Sequence, residues 1–228
     1  MSGVLTRFMS CPGEAHVTAA KQVIKYLYAT KDHDITYTRG VHGAPHIFMR
    51  GRLGEVDEDS TVVNGHEFTT YADADLAGDI GTRKSTTGFV VVLSGGLVHW
   101  MSKLQSTVAL STAEAETNAS VEAVKQIMHF RLFMRELGMG QEGPSIVFED
   151  NQAAISIAQK EEQSKRSKHY AIKAAFLSDS YKRGFFRYAK VGTKEQLADA
   201  FTKALPRDDF IRFREWMGVR VFVSEHTS

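Results

Sequence analysis

The order of strand-like and helix-like patterns after Gly65 is the feature that most limits how this chain can fold. Three β-favouring segments come first, separated by short Gly-containing loops: EFTTYAD, TGFVVVLSG and LVHWMSK. Helix-like and strand-like patterns then alternate along the rest of the chain. Consecutive strands followed by such alternation predict a mixed sheet with helices packed on it.

The alternating part opens with a long predicted helix, in which Ser111 and Glu114 have the spacing of a capping box and Gly138 marks the end. The patterns that follow are the strand SIVFED, the helix NQAAISIAQK, a helix around SKHYAIKAAFLSDSYKRG and the strand FFRYAKV. Thr193 and Gln196 repeat the capping-box spacing, which predicts a helix over TKEQLADAFTKAL. A last amphipathic helix follows.

The residues before Gly65 carry one further helix pattern, GEAHVTAAKQVIKYLYATK, whose apolar residues recur at three- and four-residue steps. A short strand, ITYTR, follows, and residues 41–65 mix Gly, Pro and acidic residues without periodicity, which is typical of a linker. These patterns predict four regions: an N-terminal segment at 1–40, a linker at 41–65, a main domain at 66–218 and a C-terminal tail at 219–228.

Composition excludes some classes of protein. The 228 residues are 43% apolar and 24% charged, which is ordinary for one large or two small globular domains. The single cysteine, Cys11, excludes an internal disulfide framework and favours a reducing, intracellular location. No apolar run is long enough to span a bilayer, so we expect no membrane partner. The net charge of +1 neither requires nor excludes nucleic acid.

Several carboxylates lie at the ends of predicted elements or inside otherwise apolar ones. They are Asp73 and Asp75 on one face of the first strand, Glu116 early in the long helix, Asp150 at the end of SIVFED, and Asp199. Each has a simple structural explanation. Glu116 suits the positive end of a helix, Asp150 could cap the next helix, and Asp199 could be solvated.

Taken together, these carboxylates favour a metal site. Asp73 and Asp150 would end neighbouring central strands, where sites form in open sheets. Converging carboxylates repel one another unless cations neutralise them, and oxygen ligands of this kind select Mg²⁺ or Mn²⁺. Two such ions could bracket a phosphodiester, one activating water and the other stabilising the leaving oxygen.

Five stretches of the chain occur in the order expected for a known family. YADADLAGD–RKSTTGF, STAEAE, EDNQAAI, RSKHY and TKEQLADAFTKAL resemble the ribonuclease H region of copia-type retrotransposon polyproteins. The upstream stretch LTRFMSCPGEAHVTAAKQVIKYLYATKD resembles the tail of the reverse transcriptase and its connection. The resemblance implies a ribonuclease H-like α/β fold, a five-stranded mixed sheet flanked by helices. It also makes residues 1–40 a helical connection segment.

The resemblance also implies an activity and its residues. The metal ligands for two Mg²⁺ ions, with Mn²⁺ as a substitute, would be Asp73, Glu116, Asp150 and Asp199. Glu116 rather than Glu114 matches the family ligand, and Asp75 would be a supporting neighbour. The implied activity is hydrolysis of the RNA strand of RNA–DNA hybrids during reverse transcription. The implied partners are the hybrid and the reverse transcriptase domain of the parent polyprotein. The implied location is a cytoplasmic retrotransposon particle or the nucleus.

The segment from Lys160 to Lys190 holds nine basic residues against three acidic ones. It is either a solvated helix face or a surface that binds a nucleic-acid backbone. The candidate substrate-binding residues are Asn151, Lys165, Arg166, Lys168 and His169. After His169 the stretch KHYAIKAAF lacks an acidic residue and a histidine that the family usually has.

Two other functions stay open at this point. A catalytically decayed hybrid- or RNA-binding module, or a scaffold fragment, would keep the fold without turnover, and the departures from the family fit that interpretation. Another nuclease of the same superfold, such as an integrase, would need a different spacing of acidic residues. The order Asp, Glu, Asp, Asp argues against the integrase.

Overall fold

A computed structural model describes residues 5–37, 68–159 and 168–221 of the chain. The strands are β1 (His33–Ile35), β2 (Phe68–Asp75), β3 (Thr86–Leu93), β4 (Gly96–Leu104), β5 (Ser145–Glu149), β6 (Phe186–Lys190) and β7 (Val219–Val221). The helices are α1 (Glu14–Ala29), α2 (Thr112–Glu136), α3 (Gln152–Gln159), α4 (Lys168–Lys182), α5 (Asp199–Thr202) and α6 (Arg207–Trp216). The predicted linker at 41–65 lies outside the described residues. None of the helices described is long and apolar enough to cross a bilayer.

Five strands form one mixed sheet in the order β4-β3-β2-β5-β6. The β2–β3 and β3–β4 pairs are antiparallel, whereas β2–β5 and β5–β6 are parallel. The sequence pair Gly95–Gly96 predicts a tight hairpin turn between β3 and β4. The β3–β4 hairpin in fact turns one residue earlier, at Ser94 and Gly95, both of which have positive φ. The predicted architecture, a five-stranded mixed sheet flanked by helices, is confirmed.

The central strands are buried on both faces. Ala72 and Phe89 pack on one face with α2, α3 and α4, where Ile127 of α2 is fully buried. Tyr71 precedes Ala72 and Val90 follows Phe89. Both pack on the other face of the sheet, with α6 and the residues around α5. This follows from the two-residue side-chain period of a strand. The ends of β2 and β5 are therefore held between two packed layers.

The N-terminal segment contacts the main sheet through short elements. β1 pairs antiparallel with β7, so residues 219–221 of the predicted C-terminal tail form a strand with this segment. Tyr37 Oη donates to the Leu97 carbonyl at 2.9 Å. Helix α1 forms close to its predicted bounds, but within the described structure it buries none of its residues, and Ile24 is 64% exposed. The predicted apolar face of α1 is therefore not part of the core.

The single helix predicted over TKEQLADAFTKAL is wrong. The chain forms a 3₁₀ turn at Thr193–Glu195 and, after a break, the short helix α5. The Gln196 side chain does not form the predicted capping box, because it is fully buried and its Nε2 donates to the Ala72 carbonyl of β2 at 2.9 Å. That hydrogen bond and the burial of Leu197 draw the chain onto the sheet and interrupt the helix. Asp199 consequently begins a new helix.

Candidate metal centre

The parallel pairing of β2 with β5 brings two of the predicted ligands to one edge of the sheet. The register pairs Tyr71 with Phe148, and continuing it by two residues sets Asp73 opposite Asp150. Glu116 reaches the same point from α2, which packs over the sheet. One carboxylate oxygen from each of Asp73, Glu116 and Asp150 lies within 4.8 Å of the other two. Three of the four predicted ligands therefore come together, and we call these three residues the acidic group.

The start of α2 is set by the predicted cap. Ser111 Oγ accepts a hydrogen bond from the Glu114 backbone N–H at 3.2 Å. Glu114 Oε2 accepts from the Leu110 backbone N–H at 3.0 Å, one residue earlier than in an ideal capping box. Glu114 is thus engaged at the helix start, whereas Glu116, two residues later, joins the acidic group.

Asp199, the fourth predicted ligand, lies beside this group at the start of α5. Its Oδ1 forms an ion pair with Lys203 Nζ at 2.8 Å. Thr202 Oγ1 donates to Asp73 Oδ2. Gly88, which pairs with Asp73, makes this packing possible, because a Cβ there would lie 2.5 Å from Thr202 Cγ2.

Burial and crowding favour the protonated forms of these carboxyl groups. Burial first, and then the neighbouring carboxylates, raise the pKa of Glu116 to about 10. Burial is also the largest cause that raises the pKa of Asp199 to about 7. Burial, followed by the charge of Asp73, raises the pKa of Asp150 above its ordinary value. Without cations the group therefore holds protons that isolated carboxyl groups would lose.

Glu149 links α2 to the backbone beside Asp150. It is fully buried directly before Asp150. Its Oε2 accepts from Ser120 Oγ and its Oε1 accepts from the Asn151 backbone N–H, both at 3.1 Å. Ser120 lies one helical turn after Glu116 on α2. Glu149 therefore fixes the positions of Glu116 and Asp150 relative to each other.

The chemistry of the group fits divalent cations. All of its candidate ligand atoms are carboxylate oxygens, which Mg²⁺ and Mn²⁺ prefer. Glu116 Oε2 is buried and has no hydrogen-bond partner among the described residues. A buried carboxylate in that state is costly unless it is protonated or bound to a cation. Asp73, Glu116 and Asp150 could therefore hold a cation, with Asp199 next to it.

The predicted substrate-binding residues have mixed positions. Asn151 caps α3, because its Oδ1 accepts from the backbone N–H groups of residues 153 and 154 at 2.9 and 3.2 Å. Lys168 is the first residue of α4, and His169 is exposed on the same helix. Lys165 and Arg166 lie outside the described residues. Contact of these residues with nucleic acid stays a prediction.

Sequence reasoning missed three residues of the site: Thr202, Lys203 and Glu149. One signal was available, since Lys203 follows Asp199 by four residues, the spacing of an ion pair on a helix. Glu149 had no such signal. Its role depends on Ser120, which is distant in sequence and meets it only through packing.

Comparison with known proteins finds relatives among transposon polyproteins. The chain is 33% identical to the Retrovirus-related Pol polyprotein from transposon TNT 1-94 of Nicotiana tabacum, over 95% of this chain and 14% of the polyprotein. It is 30% identical to the Retrovirus-related Pol polyprotein from transposon RE1 of Arabidopsis thaliana, over 94% of this chain and 13% of the polyprotein. It is 36% identical to the Secreted RxLR effector protein 161 of Plasmopara viticola, over 54% of this chain and 71% of that protein.

No family model matches the chain. Among solved structures, LC11-RNase H1 in complex with an RNA/DNA hybrid has a TM-score of 0.46 and 16% identity, over 60% of this chain and 94% of that one. The chain spans about one seventh of the TNT 1-94 polyprotein, while nearly all of its own length is matched. The homologues of this chain are therefore copia-type retrotransposon Pol polyproteins, of which it matches one short segment.

Proposed function

We propose that this chain is a metal-dependent endoribonuclease that hydrolyses the RNA strand of RNA–DNA hybrids during retrotransposon reverse transcription. The observation that carries the proposal is the group of oxygens from Asp73, Glu116 and Asp150 within 4.8 Å of one another. Their position at the carboxyl ends of two adjacent parallel strands is where sites form in open sheets. The relationship to Pol polyproteins supports the proposal.

In this proposal four carboxylates hold two Mg²⁺ ions, or Mn²⁺ in their place: Asp73, Glu116, Asp150 and Asp199. When bound there, the ions would supply Lewis-acid chemistry to the attacking water and to the leaving oxygen of the phosphodiester. Glu149 keeps the backbone after β5 in position, and Thr202 orients the Asp73 carboxylate through its hydrogen bond. Lys203 neutralises Asp199 before cations arrive.

The proposed partners are the RNA–DNA hybrid and the reverse transcriptase domain of a parent polyprotein, since the chain spans only 14% of the TNT 1-94 polyprotein. The proposed place of action is inside the cell, in a cytoplasmic retrotransposon particle or in the nucleus. Fractionation of cells that express the tagged parent polyprotein would test the location. Recovery of the tag outside the cell alone would contradict it.

A cleavage assay tests the activity. The purified chain is incubated with labelled RNA–DNA hybrid, double-stranded RNA and double-stranded DNA, each with Mg²⁺, with Mn²⁺ and with EDTA. We expect cleavage of the RNA strand of the hybrid only, in either metal and not in EDTA. Cleavage of double-stranded DNA would favour a different nuclease of the same superfold.

A catalytically decayed hybrid-binding module is the second candidate. The stretch after His169 favours it, because an acidic residue and a histidine usual in the family are missing there. Binding of the hybrid without cleavage in any metal would identify this second function. A melting temperature that rises with Mg²⁺ would show in that case that the acidic group still holds a cation.

A further inference from the structure

A cleft of about 370 Å³ lies between α2, α4 and the strands β3 and β4, separate from the acidic group. Three of its lining residues are lysines: Lys84, Lys103 and Lys173. Glu122 is its one acidic lining residue, and it forms an ion pair with Lys125 at 2.9 Å. We call this feature the basic cleft. Its lysines come from three separate elements, which makes it a local concentration of positive charge.

The wall of the basic cleft is a network of buried neutral groups. Gln105 Nε2 donates to Thr87 Oγ1 and to the Ala115 carbonyl, both at 3.0 Å, and its Oε1 accepts from Asn118 Nδ2 at 2.9 Å. Lys173 Nζ donates to Asn118 Oδ1 at 2.8 Å. Asn118, which lies on α2 two positions after Glu116, therefore holds the Lys173 side chain in place.

The ammonium group of Lys173 keeps its charge available to a ligand. Asn118 is a neutral acceptor, so this hydrogen bond holds the lysine without cancelling its charge. An ammonium group has three N–H donors, and the bond to Asn118 uses one of them. Lys84 and Lys103 form no ion pair with any other described residue. The polar partner of Lys173 is thus neutral, and the cleft presents more positive than negative charge.

The sheet register sets the basic cleft beside the acidic group. Asp73 pairs with Gly88, and the next step of the register aligns Ala74, Thr87 and Lys103 across β2, β3 and β4. Two strand spacings separate β2 from β4, which is about 10 Å. Because successive phosphates of one strand rise about 3.4 Å along a duplex axis, a phosphate in the cleft would lie within a few nucleotides of a phosphodiester at the acidic group.

The position of the cleft suits a long polymer better than a small anion. β4 is an edge strand of the sheet, and Lys103 is exposed on it. The adjoining lining residues Ser106 and Thr107 are also exposed. A chain that enters at this edge can therefore run past the cleft towards the carboxyl ends of β2 and β5.

We propose that the basic cleft binds a backbone phosphate of the nucleic acid, within a few nucleotides of the phosphodiester that lies at the acidic group. This inference rests on the proposed function and adds a substrate-binding site to it. Lys84, Lys103 and Lys173 bind the phosphate oxygens, and Asn118 positions Lys173. Contacts of this kind are independent of base sequence and set the register of the strand on the enzyme.

The double variant Lys84→Ala/Lys103→Ala tests the site. Binding of a short labelled RNA–DNA hybrid is measured by fluorescence anisotropy in EDTA, between about 50 and 200 mM salt. Because the cleft binds one phosphate, loss of this contact in the double variant should lower the slope of log affinity against log salt by roughly 0.7–0.9. In the cleavage assay KM should rise while kcat stays near the wild-type value, because the carboxylates are unchanged. The variant Lys84→Arg/Lys103→Arg should restore most of the affinity.

The matched control is Lys21→Ala/Lys25→Ala, which removes the same charge from two exposed residues of α1. It should leave the salt slope close to that of the wild type. An unchanged slope in Lys84→Ala/Lys103→Ala, or an equal fall in the control, would overturn the cleft as a binding site while the cleavage activity stands. Failure of the wild-type protein to bind or cleave any hybrid would instead overturn the proposed function.

Discussion

The metal centre and the basic cleft are neighbours along the same sheet, and they hold charge in opposite ways. In the metal centre the carboxyl groups themselves are buried, or half-buried at Asp150, and Glu116 Oε2 has no hydrogen-bond partner in the described part of the chain. In the cleft the buried groups are neutral and mutually hydrogen-bonded, while Lys84 and Lys173 are half-buried and Lys103 is exposed.

Because of this difference, substitutions at the metal centre should affect mainly activity, and substitutions in the wall of the cleft should affect mainly stability. Buried like charges are unfavourable until a counter-ion binds, so the metal centre is built at a cost to the metal-free fold. Exposed lysines cost little, and the network beneath them stabilises the fold. Removing a carboxylate should therefore abolish chemistry without loosening the protein. Removing a buried amide should loosen the protein without touching the chemistry.

The largest effect is expected for Asp150→Asn, which removes a ligand from the metal centre. Loss of a group that only hydrogen-bonds to a metal ligand lowers metal affinity or activity by about 10–100-fold, so loss of a ligand itself should lower the cleavage rate by more than about 100-fold. The free energy of unfolding in EDTA should be unchanged or higher, because one of several crowded negative charges is gone. Cleavage rate and urea unfolding measure the two effects. Near-wild-type turnover would contradict Asp150 as a ligand.

The second effect is a pH dependence of stability in the metal-free protein. The pKa values of Asp199 and Glu116, raised to about 7 and about 10, exceed those of an unfolded chain. The folded state therefore retains protons that the unfolded chain releases above about pH 4, and the free energy of unfolding falls as pH rises from there through the folded pKa values.

Urea unfolding in EDTA between about pH 5 and pH 8 measures this fall. Saturating Mg²⁺ should reduce it, because the bound cation replaces the protons that stabilise the carboxyl groups. Asp73→Asn should reduce it as well, since the charge of Asp73 contributes to the raised pKa of both residues. Stability that stays constant or increases over this range would contradict the electrostatic account of the metal centre.

The third effect concerns the network in the basic cleft. Gln105→Ala leaves the buried polar groups of Thr87 and Asn118 without their partner. Unpaired buried groups of this kind cost about 1–3 kcal/mol, which should appear in urea unfolding. Gln22→Ala, at an exposed position of α1, is the matched control and should stay within about 0.5 kcal/mol of the wild type. Equal stabilities of the two variants would show that the network contributes nothing.

The smallest effect is expected for Glu114→Gln at the start of α2. The amide oxygen can still accept from the Leu110 N–H, so only the charge near the positive end of the helix is lost, at about 0.3–1 kcal/mol. The cleavage rate should not change. Glu116→Gln, two residues further on, should abolish cleavage. The opposite result would reverse the assignment of the helix ligand.

Many local features could be predicted from the sequence because they depend on neighbouring residues. The strands β2 and β3, the cap at Ser111 and the strand before Asp150 all formed. The same reasoning failed over TKEQLADAFTKAL, where a local capping pattern was outweighed by the burial of Gln196 against β2. The pattern of α1 gave the helix but not its exposure, because periodicity does not say which surface covers an apolar face.

The sequence by itself determined which residues could be ligands, since acidic residues at the ends of predicted elements or inside otherwise apolar ones stand out wherever they occur. Tertiary structure decided which of them meet. The β2–β5 register aligns Asp73 with Asp150, and the missing side chain at Gly88 lets Thr202 and Asp199 approach. The basic cleft was decided only at this level, because its lysines are far apart in the chain and meet only where the β3–β4 register and the packing of α2 and α4 bring their elements together.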